Sequence, residues 1–196
     1  MINIEWQTHT RVQLLQHLIN MHNYQHYLEI GCDKDQVFGN ITVALKEGVD
    51  PNRGGTQRMT SDAFFEQDTR TWDLIFIDGL HTYEQVSRDF DHAFARLNPG
   101  GTIVIHDMLP MSLAQAAPRP VEKYWLGDVW RLAFDLANRS DLKFNLFKFD
   151  FGCGIITHGT QTPLNLDSNG SWDFYQRNYT QLPLTTFEEY FEHASI

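Results

Sequence analysis

The sequence has little cysteine, no cluster of basic residues and no long apolar run. Its two cysteines, Cys32 and Cys153, lie far apart and form neither a CxxC pair nor a zinc-binding spacing, so we expect two free thiols in a reducing compartment. No apolar run approaches the length of a membrane span, and no charged-then-apolar signal opens the chain. These absences favour a soluble, cytoplasmic protein without a membrane partner.

Positive charge is also scarce, since 15 Lys and Arg residues stand against 25 Asp and Glu residues and give a formal net charge of -10. A protein that binds nucleic acid needs a basic face to meet the phosphates, and this chain has no block of Lys and Arg. We therefore expect no nucleic-acid partner. The charge balance favours a small molecule that is neutral or cationic.

Strand-like and helix-like patterns alternate along the 196 residues, of which 42% are hydrophobic. Strands are predicted at 26–30, 47–49, 58–61, 72–78, 102–105, 144–149 and 154–157. Helices are predicted at 7–22, 36–45, from about residue 62, at 83–97, at 128–139 with Asp128 as N-cap, and at 186–193. This alternation is typical of an α/β fold, a doubly wound and mostly parallel sheet with helices on both faces. Because only residues 150–153 join the last two strands, those strands are predicted to be antiparallel.

Ligands of such sheets bind outside the carboxyl ends of the strands. The residues at the five predicted ends are Glu29 and Gly31, Asp50, Ser61 and Asp62, Asp78 and His81, and His106 and Asp107. Each end thus offers a polar or acidic group. We expect these groups to line one ligand site.

The first three ends suit a nucleotide-like cofactor. Gly31 has no Cβ, so a ligand can approach the backbone, and a helix starting after it would point N–H groups at a carboxylate or phosphate. Asp50, about twenty residues further on, has the spacing of an acid that bonds both ribose hydroxyls, and Asp62 is placed for an adenine edge. The alternatives are that Asp50 serves the turn at Pro51 and that Asp62 caps a helix.

The last two ends suit catalysis. Asp78 and Asp107 could orient an acceptor, take a proton or hold a cation. His81 and His106 are candidate general bases because imidazole titrates near neutral pH. The alternative for His81 and Asp107 is that they satisfy hydrogen bonds of their own turns.

Six motifs resemble class I S-adenosylmethionine-dependent methyltransferases, in particular the small bacterial branch similar to the macrocin- and cephamycin-type O-methyltransferases. They are LEIG at 28–31, GVDP at 48–51, TSDAFF at 60–65, DLIFIDGLHTYE at 73–84, LNPGGTIVIHDMLP at 97–110 and GDVWRL at 127–132. The resemblance runs from about residue 26 to the end of the chain. LEIG alone is weak, whereas FIDGLHTYE followed by NPGGTIVIHDM is specific.

The resemblance implies a single domain over 1–196 with a seven-stranded, Rossmann-like sheet that has one antiparallel strand near its C-terminal end. The domain would comprise a helical segment at 1–25, a core at 26–160 and an extension at 161–196. S-adenosylmethionine (SAM) would be the cofactor and a small hydroxylated molecule the acceptor, and a homodimer is left open. Loops 108–123 and 163–184 are expected to roof the acceptor pocket.

The resemblance also implies the position of each cofactor residue. Glu29 and Gly31 would flank the methionine part of SAM, and Asp50 would hold the ribose. Ser61 and Asp62 would lie by the adenine. Asp78 would sit near the methyl group, with His81 behind it on the acceptor side.

Two residues depart from the pattern of the family. Asp35 stands where a second glycine is usual, so its side chain either narrows the cofactor turn or points away from it. His106 stands where metal-binding relatives have the first of two adjacent carboxylates. Mg²⁺ prefers oxygen ligands, whereas His106 offers a nitrogen. The three-carboxylate site of those relatives is therefore absent from this sequence. A divalent metal held by Asp78, His106 and Asp107 is left open.

Two other functions compete with methyl transfer. A non-catalytic binding protein on a degenerate methyltransferase scaffold is favoured by Asp35. A nicotinamide-dependent dehydrogenase shares the first turn and the ribose acid, but the glycine fingerprint is incomplete and no Tyr-x-x-x-Lys pair occurs. We therefore expect an O-methyltransferase-like enzyme.

Overall fold

A seven-stranded sheet runs through residues 9–193, the part of the chain that the computed structural model describes. The strands are β1 (His26–Ile30), β2 (Leu45–Val49), β3 (Trp72–Ile77), β4 (Leu97–Ile105), β5 (Leu142–Phe147), β6 (Cys153–His158) and β7 (Leu184–Thr185). The helices are α1 (Arg11–His22), α2 (Ser61–Gln67), α3 (Tyr83–Ala95), α4 (Trp130–Asn138), α5 (Trp172–Asn178) and α6 (Phe187–His193). The predicted start of the first helix, at residues 7 and 8, lies outside the described residues.

The strand order is β2-β1-β3-β4-β6-β5-β7. Strands β2, β1, β3 and β4 are parallel, and β6 is antiparallel to both of its neighbours. The prediction of a mostly parallel sheet with one antiparallel strand is therefore confirmed. The carboxyl ends of the first four strands consequently meet at one edge of the sheet.

Helices cover both faces of this sheet because its strands are apolar on both sides. Leu28 and Ile30 of β1 pack into a core that α2, α3, α4 and α5 share. Tyr27 faces the opposite core, where α1 contributes four buried residues and α6 adds aromatic rings. The same alternation continues along β3 and β4. No helix in residues 9–193 is long and apolar enough to cross a membrane.

Two predicted elements are wrong. The segment 36–45 is not an α-helix but holds only a short 3₁₀ turn at Phe38–Asn40, and Asp35 before it has a left-handed φ of 58°. The segment 58–61 is not a strand. Thr60 there is the N-cap of α2, and its hydroxyl accepts a hydrogen bond from the Ala63 N–H at 3.2 Å. The seventh strand is instead β7, a two-residue element that carries no pattern in the sequence.

Asp128 does not cap its own helix, as the sequence predicts, because α4 begins at Trp130 with Val129 as its N-cap. The Asp128 Oδ1 atom instead accepts the Tyr83 N–H at 2.7 Å, at the first residue of α3. A tertiary partner thus replaces the local one. This bond ties the segment after β4 to the loop that follows β3.

Candidate active site

A cavity of about 550 Å³ opens at the carboxyl ends of β1, β2 and β3 and at the first turn of α2. Its size suits a small-molecule ligand. The predicted residues that line it are Glu29, Gly31, Asp50, Ser61, Asp62, Asp78 and His81. His106 and Asp107 lie beside it, in contact with Asp78 and His81. The structure therefore brings the predicted site residues together.

Gly31 holds the ends of three strands together. Its φ is +88°, and a Cβ atom at this position would lie 2.2 Å from the backbone oxygen of Asp78. Its N–H donates to the Val49 oxygen at 2.9 Å. The close approach predicted for this glycine is thus made by the end of β3, which is brought against the turn that follows β1.

The turn after Gly31 is held by Asp50 and not by a helix. Oδ2 of Asp50 accepts the N–H groups of Cys32 and Asp33 at 3.1 and 3.0 Å. Oδ1 accepts those of Asn52 and Arg53 at 2.8 and 2.9 Å. Burial would raise the pKa of Asp50, but these four donors lower it. Since a carboxylate has about four acceptor sites, Asp50 already fastens two loops, and its contact with a ribose stays a prediction.

Asp35 faces away from the cavity. Its φ of 58° lies in the left-handed region where glycine is usual. Its Oδ1 atom accepts the Gly55 N–H at 2.7 Å and so points at the loop that follows β2. The side chain of Asp35, which stands where glycine is usual, therefore joins two loops and does not line the cavity.

Asp35→Gly should change SAM affinity by less than about twofold. Glycine relieves the left-handed backbone, which costs roughly 1–2 kcal/mol for other residues, and loses one hydrogen bond of roughly 1 kcal/mol. The two effects nearly cancel, so the free energy of unfolding should shift by no more than about 1 kcal/mol. Calorimetric titration and urea unfolding measure both quantities. A tenfold gain in affinity would show that the side chain intrudes on the ligand.

Polar groups from two helices meet at the α2 end of the cavity. Nε2 of Gln85 donates to Ser61 Oγ and Asp62 Oδ1 at 3.2 Å each, and to Asp89 Oδ1 at 3.0 Å. Asp89 is only 1% exposed, and burial raises its pKa. Sequence reasoning missed Gln85 and Asp89. The available signal was an acid on the apolar face of α3, directly before the buried Phe90.

Glu29 also lines the cavity and is 1% exposed. Its Oε2 atom accepts the hydroxyl of the buried Tyr27 at 2.5 Å. Burial raises the pKa of Glu29 to about 7. A cationic ligand group beside Glu29 would favour its ionised form.

Asp78, His81 and Asp107, the residues predicted to serve catalysis, lie together at one end of the site. Nε2 of His81 lies 3.3 Å from Asp78 Oδ1, and Nδ1 lies 3.2 Å from Asp107 Oδ2. Burial lowers the pKa of His81, but the hydrogen bond to Asp78 and the charge of Asp107 outweigh this effect and raise it to about 9. Asp107 has a left-handed φ of 65°, a strained conformation of the kind that is common at functional sites.

Both ring nitrogens of His106 are engaged by the protein. Nδ1 lies 3.3 Å from Asp78 Oδ1 and 3.1 Å from Asp107 Oδ1, and Nε2 lies 2.7 Å from the carbonyl oxygen of Asp150. A carbonyl can only accept, so Nε2 carries a proton, and the carboxylates at Nδ1 raise the pKa well above its ordinary value. His106 thus holds the carboxylates together as a cation. Of the two histidines, His81 is the one that borders the cavity.

Arg11 and Asp150 complete this charged network, and sequence reasoning missed both. Nη1 of Arg11 donates to Asp150 Oδ1 at 2.9 Å, and its backbone N–H donates to Oδ2 at 2.8 Å. Nε of Arg11 lies 3.6 Å from Asp78 Oδ2. Burial would raise the pKa of Asp150, but bonding to the charged His106 lowers it to about 2. Asp150 directly follows the predicted strand 144–149, whose carboxyl end lies at the same edge of the sheet, so the strand-end rule was an available signal for it. Arg11 follows no strand, and the sequence carried no signal for it.

Asp78, His81 and Asp107 also form the one group within residues 9–193 that could hold a metal ion, with ligand atoms within 4.8 Å of one another. The histidine in this set is His81 and not His106, which the sequence suggested. One imidazole nitrogen and two carboxylate oxygens suit a divalent transition metal better than Mg²⁺.

The solved structures that share the fold include three methyltransferases. The SAH-bound methyltransferase PaMTH1 of Podospora anserina matches with a TM-score of 0.57 and 12% identity over 78% of this chain and 80% of that chain. An O-methyltransferase from Bacillus cereus in complex with SAH matches with a TM-score of 0.54 and 12% identity, over 80% of this chain and 85% of that chain. The MycE methyltransferase of the mycinamycin biosynthetic pathway, in complex with Mg, SAH and mycinamycin VI, matches with a TM-score of 0.50 and 15% identity. The match covers 74% of this chain and 48% of that chain.

At these identities the structural likeness establishes the fold alone. Among curated proteins, none matches the chain. A family model described as a methyltransferase domain matches residues 9–108, which include α1, the turn at Gly31 and the Asp78 and Asp107 ends. The chain therefore belongs to this methyltransferase domain family.

Proposed function

We propose that the protein transfers the methyl group of SAM to a hydroxyl group of a small-molecule acceptor. The observation that carries this proposal is the single cavity that joins the Gly31 turn to the Asp78, His81 and Asp107 cluster. A cofactor in the first part of that cavity would present its methyl group to the second. Membership of the methyltransferase family and the SAH-bound structural neighbours support the choice of cofactor.

The charge of the cavity suits SAM. SAM carries a sulfonium, an ammonium and a carboxylate, and so bears a net positive charge. The acidic residues that line the cavity are Glu29, Asp33, Asp50, Asp62, Asp78 and Asp89, and the basic ones are Arg11 and Lys34, together with His81 when it is protonated. We place the methionine part at Glu29 and Gly31 and the adenine at Ser61 and Asp62, with the ribose between them, beside the two loops that Asp50 holds. An excess of carboxylates attracts a cationic ligand.

The reaction is a direct displacement. The acceptor oxygen attacks the methyl carbon, the carbon–sulfur bond breaks, and its electron pair stays on sulfur to give S-adenosylhomocysteine (SAH). The hydroxyl proton passes to Nε2 of His81, because Nδ1 lies 3.2 Å from the carbonyl oxygen of Trp125 and keeps its own proton. Most of the catalysis comes from holding oxygen, carbon and sulfur in line and from excluding water. Trp125 stacks on His81 with ring centroids 5.4 Å apart and helps to fix the imidazole.

His81 must be neutral to accept that proton, although its pKa of about 9 keeps it protonated at neutral pH in the free protein. The sulfonium charge of SAM lowers the pKa of a nearby imidazole. Cofactor binding thus favours the form of His81 that acts as base. Asp78 and Asp107 then stabilise the imidazolium that forms.

NMR titration of the imidazole nitrogens should give a pKa of about 9 for His81 in protein kept free of metal by a chelator. His81→Gln assigns the signal. Because this pKa exceeds the ordinary value of about 6.5, protonation of His81 stabilises the fold fully below pH ~6.5, and that contribution is lost as the pH rises through about 9. A signal that titrates near 6.5 would contradict the contacts with the two carboxylates.

A divalent metal fits the same end of the site, as Mg accompanies MycE. Asp78, His81 and Asp107 would hold it. When bound, such an ion acts as a Lewis acid that polarises the acceptor oxygen. Methyl transfer measured with a chelator and then with added Mn²⁺ or Mg²⁺ determines whether His81 serves as base or as metal ligand.

The competing function is a protein that binds SAM without transferring its methyl group. A screen of hydroxylated small molecules with methyl-labelled SAM separates the two, with Asp78→Asn as a control that keeps the size of the side chain. We expect label in one acceptor class and SAH formation that depends on Asp78. Tight binding of SAM with no labelled product from any acceptor would favour the non-catalytic function. The homodimer, the cytoplasmic location, the single domain and the roofing loops stay predictions.

A further inference from the structure

We infer that Arg11 binds the carboxylate of the methionine part of SAM and thereby selects the complete cofactor. The inference rests on the proposed function and assigns a role to a residue outside all six sequence motifs. Arg11 lies in the first turn of α1 and lines the same cavity as Gly31 and Asp78. The carboxylate is the one negative group of SAM, so the residue that receives it determines how the cofactor is oriented.

The position of Arg11 is fixed by its surroundings. Leu14 and Leu15, one turn further along α1, are fully buried against the sheet. Both the backbone N–H and Nη1 of Arg11 donate to the carboxylate of Asp150, at 2.8 and 2.9 Å. The guanidinium is therefore held in place at the wall of the cavity. A preorganised cation binds a ligand at a lower cost in side-chain entropy.

One donor of this guanidinium lacks an acceptor. Nε of Arg11 is buried and makes no hydrogen bond to any of residues 9–193. The nearest carboxylate oxygen, Asp78 Oδ2, lies 3.6 Å away, which is too long for a hydrogen bond. A buried charged donor without an acceptor is unfavourable. A ligand carboxylate cannot reach this buried atom, but a second donor, Nη2 of Arg11, likewise makes no hydrogen bond to any of residues 9–193 and is not buried, so it can bind a carboxylate in the cavity.

The other cations of the cavity are less suited to this task. Lys34 is exposed, so its ammonium keeps its own water. Both ring nitrogens of His81 already face protein oxygens, those of Asp78 and Asp107, and the ring sits where the methyl group would be transferred. A ligand carboxylate in a cavity rich in acids meets repulsion everywhere except beside a cation. Arg11 is the cation that combines a fixed position with an unused donor.

The alternative is that Arg11 only clamps Asp150 and Asp78 and touches no ligand. The two roles are separated by SAM and decarboxylated SAM, which share the sulfonium, the ammonium and the adenosine. Calorimetric titration measures both ligands against the wild type, Arg11→Gln, Arg11→Lys and Lys34→Gln. Lys34→Gln is the matched control because it removes a charge from the same cavity.

We expect the wild type to prefer SAM over decarboxylated SAM by about 30-fold, the strength of a charge-assisted hydrogen-bond pair. Arg11→Gln should lose this preference, Arg11→Lys should keep part of it, and Lys34→Gln should keep nearly all of it. A preference that survives in Arg11→Gln would overturn the inference. If Arg11→Gln does not fold, full preference in Arg11→Lys would overturn it, because lysine lacks the bidentate geometry.

If the proposed function is wrong, the titration gives a different result from the one expected if only the inference about Arg11 is wrong. In that case the wild type binds neither ligand, and no variant needs to be compared. If the wild type binds both ligands equally, the cofactor site stands but Arg11 does not receive the carboxylate. The inference about Arg11 and the proposed function are therefore tested separately in one experiment.

Discussion

Asp78→Asn should lower the free energy of unfolding by about 3 kcal/mol, as expected when one partner of a largely buried ion pair is removed. Asp78 faces three cationic groups, the rings of His81 and His106 at 3.3 Å each and the guanidinium of Arg11 at 3.6 Å. Burial would raise the pKa of Asp78, but the charge of His106 and the bonds to both rings lower it well below its ordinary value. The variant removes the charge of the carboxylate that all three cations face, although Asp107 still faces both rings and Asp150 still faces Arg11.

Urea unfolding at pH 7 measures this loss, and Asp62→Asn is the matched control. Asp62 lines the same cavity, but 42% of its side chain is exposed and its ion pair with Arg88 spans 3.5 Å. A partly exposed pair of this kind contributes at most about 1 kcal/mol. An equal loss in both variants would mean that the network around Asp78 adds nothing to stability.

The effect of Asp78→Asn should also depend on pH. A carboxylate whose pKa is lowered in the folded state stabilises the fold above its unfolded pKa of about 3.9. That contribution is lost as the pH falls through the folded pKa, which lies well below this value. The difference between variant and wild type should therefore be full at pH 7 and should shrink in strong acid. A difference that is constant with pH would point to packing and not to charge.

Gly31→Ala should lower the free energy of unfolding by about 3 kcal/mol or more and should abolish cofactor binding. A Cβ atom at residue 31 would lie 2.2 Å from the backbone oxygen of Asp78 and 2.5 Å from Cα of Gly79. Neither atom belongs to a side chain that can rotate away, so the ends of β1 and β3 must separate. Overpacking of this kind costs typically 1–3 kcal/mol, and the positive φ adds roughly 1–2.

Gly100→Ala separates these two costs. Gly100 has a φ of +79°, close to that of Gly31, but no atom lies within 4 Å of the position of its Cβ. The variant should lose only the roughly 1–2 kcal/mol of the left-handed backbone. Thermal or urea unfolding of both variants gives the difference. Equal losses would show that the contact of Gly31 with the end of β3 is unimportant.

The fold could be predicted because its signals are local. The alternation of apolar strands and amphipathic helices indicates a parallel sheet, and the short link at 150–153 forces β5 and β6 to be antiparallel. The short edge strand β7 could not be predicted because a two-residue element has no periodicity. The prediction of a helix at 36–45 is wrong. Left-handed residues such as Asp33 and Asp35 prevent the helix from starting at the turn.

The candidate site could be predicted in part, since the rule that ligands bind at strand ends identifies Asp78, His81 and Asp107. The rule does not tell which polar group faces a ligand and which serves the protein. The carboxylate of Asp50 is filled by four backbone N–H groups, and both nitrogens of His106 are filled by neighbouring oxygens. Arg11 could not be found at all, because its approach to the cavity depends on how α1 packs on the sheet.

The central claim is that the cavity at the strand ends binds SAM in the orientation that brings its methyl group to Asp78 and His81. Calorimetric titration of the wild type with SAM and with SAH tests this most directly, with Gly31→Ala as the variant that distorts the strand ends beside the cavity. We predict one molecule bound per chain for both ligands and no binding to Gly31→Ala. Absence of binding of either ligand to the wild type at millimolar concentration would contradict the claim.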